Sequence, residues 1–441
     1  MDLSGTLKTS STTVSRGPTM VRASFPNAGF WMGLVILTMI IREVTLWQVG
    51  RANGRIGDML LLLVFGLWFG GRCLIGRFAI VKNRLDLAVM IFLMLHVMSI
   101  LWADNVEEGW FRLLKLLRNG ALYILLVDYL STDFSTRYRR IATCLVITGL
   151  LQSLAYMISI GRHGGLAALA VMLQADSLQS NNPALGVVRE ETGAGLFLQG
   201  AASWLPLCMF VGFSIHPSIR SRVLALGNWV LIPVMGALTV LSGTRASMVG
   251  LAVGLTIFLP LVVTKMTVKK IVGGGIVVLA LIFSAWHFGL YNLVEGRFSH
   301  EVLQNDPAIL ARLDFFQRTL DRFEKSPLLG AGVASIEPDE LFIVHNLYLQ
   351  VLGELGVVGG AIFLWIMALW VLYLVSAQRL ASAMRDPWRN RVAISLLGFS
   401  IFLFTYFLVG HDLGSGEPWI VMGMASALHN SRPKASLGLG N

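Results

Sequence analysis

One histidine and one glutamate stand in an apolar run near the carboxy end, VHNLYLQVLGELGVVGG over residues 344–360. The imidazole of His345 and the carboxylate of Glu354 are of the kinds that most often act in general acid–base chemistry. Nine positions along a helix put the two about half a turn out of phase, so they face opposite sides and do not read as a catalytic dyad. Elsewhere the residues with chemistry are basic. SGTRASMVG holds Arg245 in a short turn between apolar runs, VVREETGAGLF holds Arg189, and WFRLLKLLRNG puts Arg112, Lys115 and Arg118 on one helical face.

A charge near a bilayer is costly, about 2.5–3.5 kcal/mol at mid-depth and less toward the interface, which favours an anionic partner. Phosphate suits these residues: the arginine fork contacts it bidentately and lysine supplies a point charge. Each residue also has an ordinary structural reading. His345 can be a hydrogen-bonded interfacial residue, the 112–118 trio can snorkel toward headgroups, Arg189 can pair with Glu190 or Glu191, and Arg245 can be a simple turn cation. The sequence lacks GxxxxGK[ST] and HExxH, and Glu43 and Asp58 are isolated in the first outer loop. Asp104, Glu107 and Glu108 in LWADNVEEG are the fallback for a metal, and no cofactor or metal is expected. Cys73, Cys144 and Cys208 lie in or beside apolar runs without disulfide or metal spacing.

The elements that must hold these residues are membrane helices. With 55% hydrophobic and 14% charged residues and a mean hydropathy of +0.69, the 441-residue chain is a polytopic membrane protein of the all-α class. At about 20 residues per span, twelve candidates appear: 28–46, 58–76, 85–102, 110–130, 141–160, 193–215, 223–241, 246–264, 271–290, 357–376, 392–410 and 417–430. Most of the 35 Lys and Arg, among them Arg72, Lys82, Arg137, Arg140, Lys265, Lys269, Arg385 and Arg391, fall on one side if the amino terminus is cytoplasmic. The net charge of +10 therefore reads as positive-inside topology with both termini cytoplasmic, and not as a nucleic-acid groove. The Ser/Thr-rich residues 1–27 read as a cytoplasmic tail and not a cleaved signal. The bundle of spans 1–9 occupies 28–290, an outer loop 291–344, a re-entrant segment with spans 10–12 occupies 345–430, and a second tail 431–441.

Two long connections, 161–192 and 291–344, fall on the outer face. In the second, Ile309, Leu313, Phe316, Leu320 and Phe323 form a 3/4-spaced stripe on an amphipathic helix, with Asp314–Arg318 and Asp321–Lys325 at i,i+4 on its polar side. Pro327, Gly330 and Gly332 end it. Gly353, Gly356, Gly359 and Gly360 then interrupt or tightly pack the return into the bilayer, a break tolerated only where protein buries it.

RLDFFQRTLDRFEKSPLLGAG followed by HNLYLQVLGELGVVGG resembles the signature of the O-antigen ligase family: a loop helix, a P-L-L-G-x-G turn, H-N-x-x-L and E-x-G-x-x-G. SGTRAS resembles that family's arginine turn. REETGAGLF resembles, more loosely, its arginine before the central span, with Gln199 and Gly200 where an Asn is usual. The resemblance implies an inverting, metal-independent membrane glycosyltransferase in the bacterial inner membrane. It would move a glycan from an undecaprenyl diphosphate carrier to an acceptor hydroxyl, such as that of a lipid A core, on the periplasmic face. It further implies that His345 acts as base and that Arg245 and Arg189 stabilise the departing diphosphate. Arg112, Lys115, Arg118, Arg312 and Asn346 would bind substrate, alongside membrane lipids.

An O-antigen or exopolysaccharide polymerase would use the same chemistry on another acceptor. From other classes, a secondary transporter also has broken helices, although no inverted halves are visible and the charges gather at one face. A non-catalytic lipid-binding scaffold is the third alternative.

Overall fold

The computed structural model describes residues 28–40, 45–49, 52–74, 81–162, 194–219, 221–242, 244–263, 307–335, 346–410 and 413–431. These form α1 (Ala28–Ile40), β1 (Thr45–Val49), β2 (Ala52–Arg55), α2 (Ile56–Leu74), α3 (Arg84–Ser99), α4 (Val106–Thr132), α5 (Phe134–Arg162) and α6 (Ala194–Ile215). The chain continues through α7 (Arg222–Leu241), α8 (Arg245–Val263), α9 (Pro307–Lys325), α10 (Leu347–Ala383), α11 (Pro387–Val409) and α12 (Glu417–Asn430). Seven helices among the described residues are long and apolar enough to cross a membrane: α2, α3 with the turn after it, α5, α7, α8, α10 and α11. The protein is thus an all-helical multi-pass membrane protein, with one small hairpin among the described residues. The expected span at 271–290 and the expected tails lie outside the described residues.

Two expected spans differ in detail. The first helix ends at Ile40, short of residue 46, because Arg42 and Glu43 close its apolar run. The β-branched and aromatic TLWQV then pairs antiparallel with Ala52–Arg55, Val49 opposite Ala52 and Thr45 opposite Arg55. The last helix, α12, has only 14 residues. All but its last two are buried, wedged against α4, where Gly423 lets it approach Tyr123 and Leu126.

Burial sorts the helices into layers. On α11, Val392, Leu396, Phe399, Phe402, Leu403 and Phe407 are all buried between α8, α6 and α10, so α11 is the central post. Leu62, Leu63 and Leu67 on α2, Leu151 and Leu154 on α5, and Leu364 and Leu372 on α10 are exposed instead. Apolar side chains laid along the outside of long helices are what a lipid-facing surface requires.

A polar knot ties α3, α4 and α12 together at one end. Asn83 caps α3 by accepting from Leu85 N (2.9 Å) and Asp86 N (3.0 Å), and Asp86 reaches back to the Asn83 amide, a reciprocal capping box. The buried Asp86 carboxylate also accepts from the Tyr123 hydroxyl on α4 and from Ser426 Oγ on α12 (2.7 Å). Replacing Asp86 removes a cap and leaves two buried hydroxyls without their acceptor. Asp86→Ala is therefore expected to lose at least about 2 kcal/mol, and Asp86→Asn less, read as the fall in unfolding midpoint in detergent.

Candidate active site

Two of the residues singled out by sequence, Arg245 and Asn346, come to one end of the bundle because of how α8 and α10 meet α11. Thr244 starts α8 by accepting from the Ser247 and Met248 amides, both at 3.1 Å, so Arg245 is its first residue and half-buried. α8 runs antiparallel to α11. A Cβ on Gly250 would lie 3.0 Å from the Phe402 carbonyl, and one on Gly254 would lie 3.0 Å from the Gly398 carbonyl. On the other flank, the Tyr348 hydroxyl donates to the Phe404 carbonyl at 3.0 Å. The first turns of α8 and α10 therefore sit beside the same last turns of α11. Arg245 and Asn346 come to the same end of the bundle although 101 positions separate them in the chain.

Asn346 is the N-cap of α10: its side-chain oxygen accepts from Leu349 N at 3.1 Å, which leaves Nδ2 as a donor. Ten residues on, α10 breaks. Gly356 has φ 64° and ψ −164°, a conformation open in practice only to glycine. The break is closed by the turn after α9. Val357 N donates to Pro327 O (2.8 Å) and Val358 N to Leu328 O (3.2 Å), while Ala331 N and Gly332 N donate to the carbonyls of Gly353 and Glu354, both at 2.9 Å. Gly330 and Gly332 are themselves at φ 70° and 92°, and a Cβ on Gly330 would collide with the Glu354 carbonyl at 2.5 Å. The P-L-L-G-x-G turn and the interrupted helix are thus one hydrogen-bonded unit.

Glu354 is the hub of that unit. Its side chain, 4% exposed, accepts from Arg112 Nη1 of α4 at 2.9 Å, from Gln350 Nε2 at 3.3 Å and from the Ala334 backbone N–H. Ala334 holds φ 61° without being glycine, a conformation that costs an alanine and here aims its amide at the carboxylate. Sequence reading set Glu354 aside because it did not face His345. The overlooked signal was a single carboxylate in an apolar helix, which must find a cation if it is to stay buried.

The basic face of α4 is divided. Arg112 faces Glu354, with Glu108 at 3.8 Å. Arg118 bonds Asp58 of α2 at 2.8 Å and the Gly414 carbonyl at 2.6 Å, while neighbouring Asn119 donates to the Leu413 and Ser415 carbonyls, both at 3.0 Å. Asp58 thus has a cation for a partner. Lys115, between the two arginines, is exposed. In the acidic loop, Asp104 accepts from Arg322 of α9 at 2.8 Å, and the described residues contain no group of three or more His, Cys, Asp or Glu placed to hold a metal.

α9 covers 307–325 and includes the stripe from Ile309 to Phe323 that the periodicity marks as helical, with the expected Asp314–Arg318 pair at 2.7 Å. Asp321 accepts from Gln317 (3.0 Å). The stripe does not point inward, however. Phe315 and Thr319 are buried while Leu313 and Phe316 are exposed, so much of the apolar face is turned outward, as on an interfacial helix. Arg312 falls on this helix. His345, immediately before Asn346, and Arg189 lie outside the described residues.

Breaking a buried ion pair from one side costs about 3–5 kcal/mol because the partner charge is stranded, whereas removing both charges costs far less. Glu354→Leu and Arg112→Leu are each expected to lower the unfolding midpoint in detergent more than the double variant does. Additive losses would show that the pair is not coupled.

Residues 230–364 match the family model described as O-Antigen ligase. The match spans the arginine turn, α8, α9, the glycine turn, His345 and the broken first part of α10. No curated protein matches the chain. The segment that forms the hydrogen-bonded unit around Gly356 and Glu354 lies largely within this match, so over that part of the chain the protein is similar to the O-antigen ligase family.

Proposed function

We propose that the protein transfers a glycan from an undecaprenyl diphosphate-linked donor to an acceptor hydroxyl, that of a lipid A core, at the periplasmic face of a bacterial inner membrane. The observation that carries this reading is the convergence of Arg245 with Asn346, the chain neighbour of His345, beside α11, within the segment matched by the family model.

In the proposed step, the acceptor oxygen attacks the anomeric carbon and its proton passes to the His345 imidazole. The bond to the diphosphate breaks, and the electron pair leaves on the phosphate oxygen. Displacement on the opposite face inverts the anomeric centre, with neither a covalent glycosyl-enzyme nor a metal ion. Arg245 and Arg189 balance the charge that grows on the leaving diphosphate, the kind of preorganised electrostatic assistance that often dominates catalysis. The half-buried position of Arg245 at a helix start supports its part, since a guanidinium partly withdrawn from water acts more strongly on a nearby phosphate.

Substrate contacts fall to residues at the same end. Lys115 is exposed between two arginines that carboxylates engage, which makes it the foremost member of the trio for the carrier's phosphates; Arg112 and Arg118 hold the helix that presents it. Arg312 and the free Asn346 amide complete the proposed contacts.

Two outcomes test this. In proteoliposomes given an undecaprenyl diphosphate-linked oligosaccharide, with and without a lipid A-core acceptor, His345→Ala is expected to lower transfer by about 10²- to 10⁴-fold while donor binding persists. A single transfer that requires the acceptor supports ligation, a ladder from donor alone identifies a polymerase, and uptake without any His345-dependent product identifies a transporter. Arg245→Lys keeps the charge but loses the fork, and is expected to lower turnover about tenfold or more; full activity would remove Arg245 from the reaction.

A further inference from the structure

The opposite end of the bundle holds a second feature. From Gly356 to Ala383, α10 runs roughly 40 Å at 1.5 Å per residue, and where it ends a cavity of about 360 Å³ opens between the ends of α6, α7 and α8 and the connection from α10 to α11. Its inner wall is apolar, with Phe213, Trp229, Leu261 and Ile394, and its rim carries Arg385 and Arg391.

The backbone singles out Arg385. α10 terminates in two crossed bonds, Asp386 N to Ala381 O (2.8 Å) and Arg385 N to Ser382 O (3.2 Å), the Schellman arrangement. Its geometry puts the residue after the cap in the left-handed region, and Arg385 has φ 53°. Glycine takes this position at no steric cost; a side chain here bears one. Among the described residues no partner offsets that cost: neither Arg385 nor Arg391 forms a side-chain hydrogen bond or ion pair there. Asp386, the carboxylate on the cavity wall, is already engaged: it accepts from Trp388 N (3.1 Å) and Arg389 N (3.0 Å) and lies 3.5 Å from Arg389 Nε. Asn390 accepts from Ser382 Oγ at 3.0 Å through its oxygen, which leaves its amide nitrogen to donate.

Two uncommitted guanidiniums and an amide donor at the mouth of an apolar cavity make a receptor for a phosphate attached to a hydrocarbon. We propose that this cavity binds an anionic phospholipid, the phosphate held by Arg385 and Arg391 and the first methylenes packed on Trp229 and Phe213. The chemistry shared with any phosphate ester is the bidentate guanidinium contact. The apolar wall and the lipid-facing helices around it favour a lipid over a soluble anion.

The test uses the purified full-length chain, delipidated in detergent and then supplied with phosphatidylglycerol, phosphatidylcholine or inorganic phosphate. Bound lipid is read by native mass spectrometry and stability by thermal unfolding. Phosphatidylglycerol is expected to be retained in preference to phosphatidylcholine, and Arg385→Gly and Arg391→Gln each to lower its retention about tenfold. Without lipid, Arg385→Gly is expected to unfold at the same temperature as the parent or higher, since glycine relieves the left-handed conformation. Retention unchanged in both variants would overturn the proposal, as would equal retention of phosphatidylcholine. Stabilisation by inorganic phosphate equal to that by phosphatidylglycerol would assign the arginines to a small soluble anion and overturn the lipid.

Discussion

A helix that breaks inside a membrane protein must find partners for the backbone groups it releases, because lipid offers none. At Gly356 α10 abandons helical geometry, and the four amide–carbonyl bonds to residues 327–332 replace what the helix gives up. Those bonds dictate much else. They fix the turn after α9 against α10, they require glycine at 330, 332 and 356, and they help hold the first part of α10, which starts beside the last turns of α11 near the start of α8.

Charge placement follows the same economy. Few charged residues occur in the apolar helices, and two of those on α4, Arg112 and Arg118, dock one element on another. Arg112 joins α4 to the interrupted helix through Glu354, and Arg118 with Asn119 joins it to α2 and to the connection before α12. An ion pair withdrawn from water contributes little net stability, but its geometry is exacting and a misplaced helix would strand the charge. Such pairs act as registration devices, and they hold α4 against the segment in which the chemistry is proposed.

The two ends of the bundle use arginine differently. Toward α8 and α10, Arg112 is bound to the Glu354 carboxylate and Arg245 is half-buried at a helix start. At the far end, Arg385 and Arg391 border an apolar cavity. Of these arginines, only Arg245 lies within the segment matched by the family model.

Periodicity and composition alone determined that the chain is helical and membrane-spanning, and placed a loop helix around the stripe from Ile309 to Phe323, because a repeat of apolar residues at 3/4 spacing or an unbroken apolar run admits few other structures. The glycines, prolines and basic turns were equally legible, since their backbone and charge preferences are local. What local pattern could not supply was pairing. That Glu354 meets Arg112 across 242 positions, that Arg118 meets Asp58, or that Phe315 rather than Leu313 turns inward on α9 depends on which faces neighbouring helices present. Likewise the left-handed Arg385 becomes visible only once α10 is seen to end in crossed bonds. Apolar burial is non-directional and can be read one residue at a time; a hydrogen bond or ion pair needs two groups brought together, and the folded chain alone selects the second.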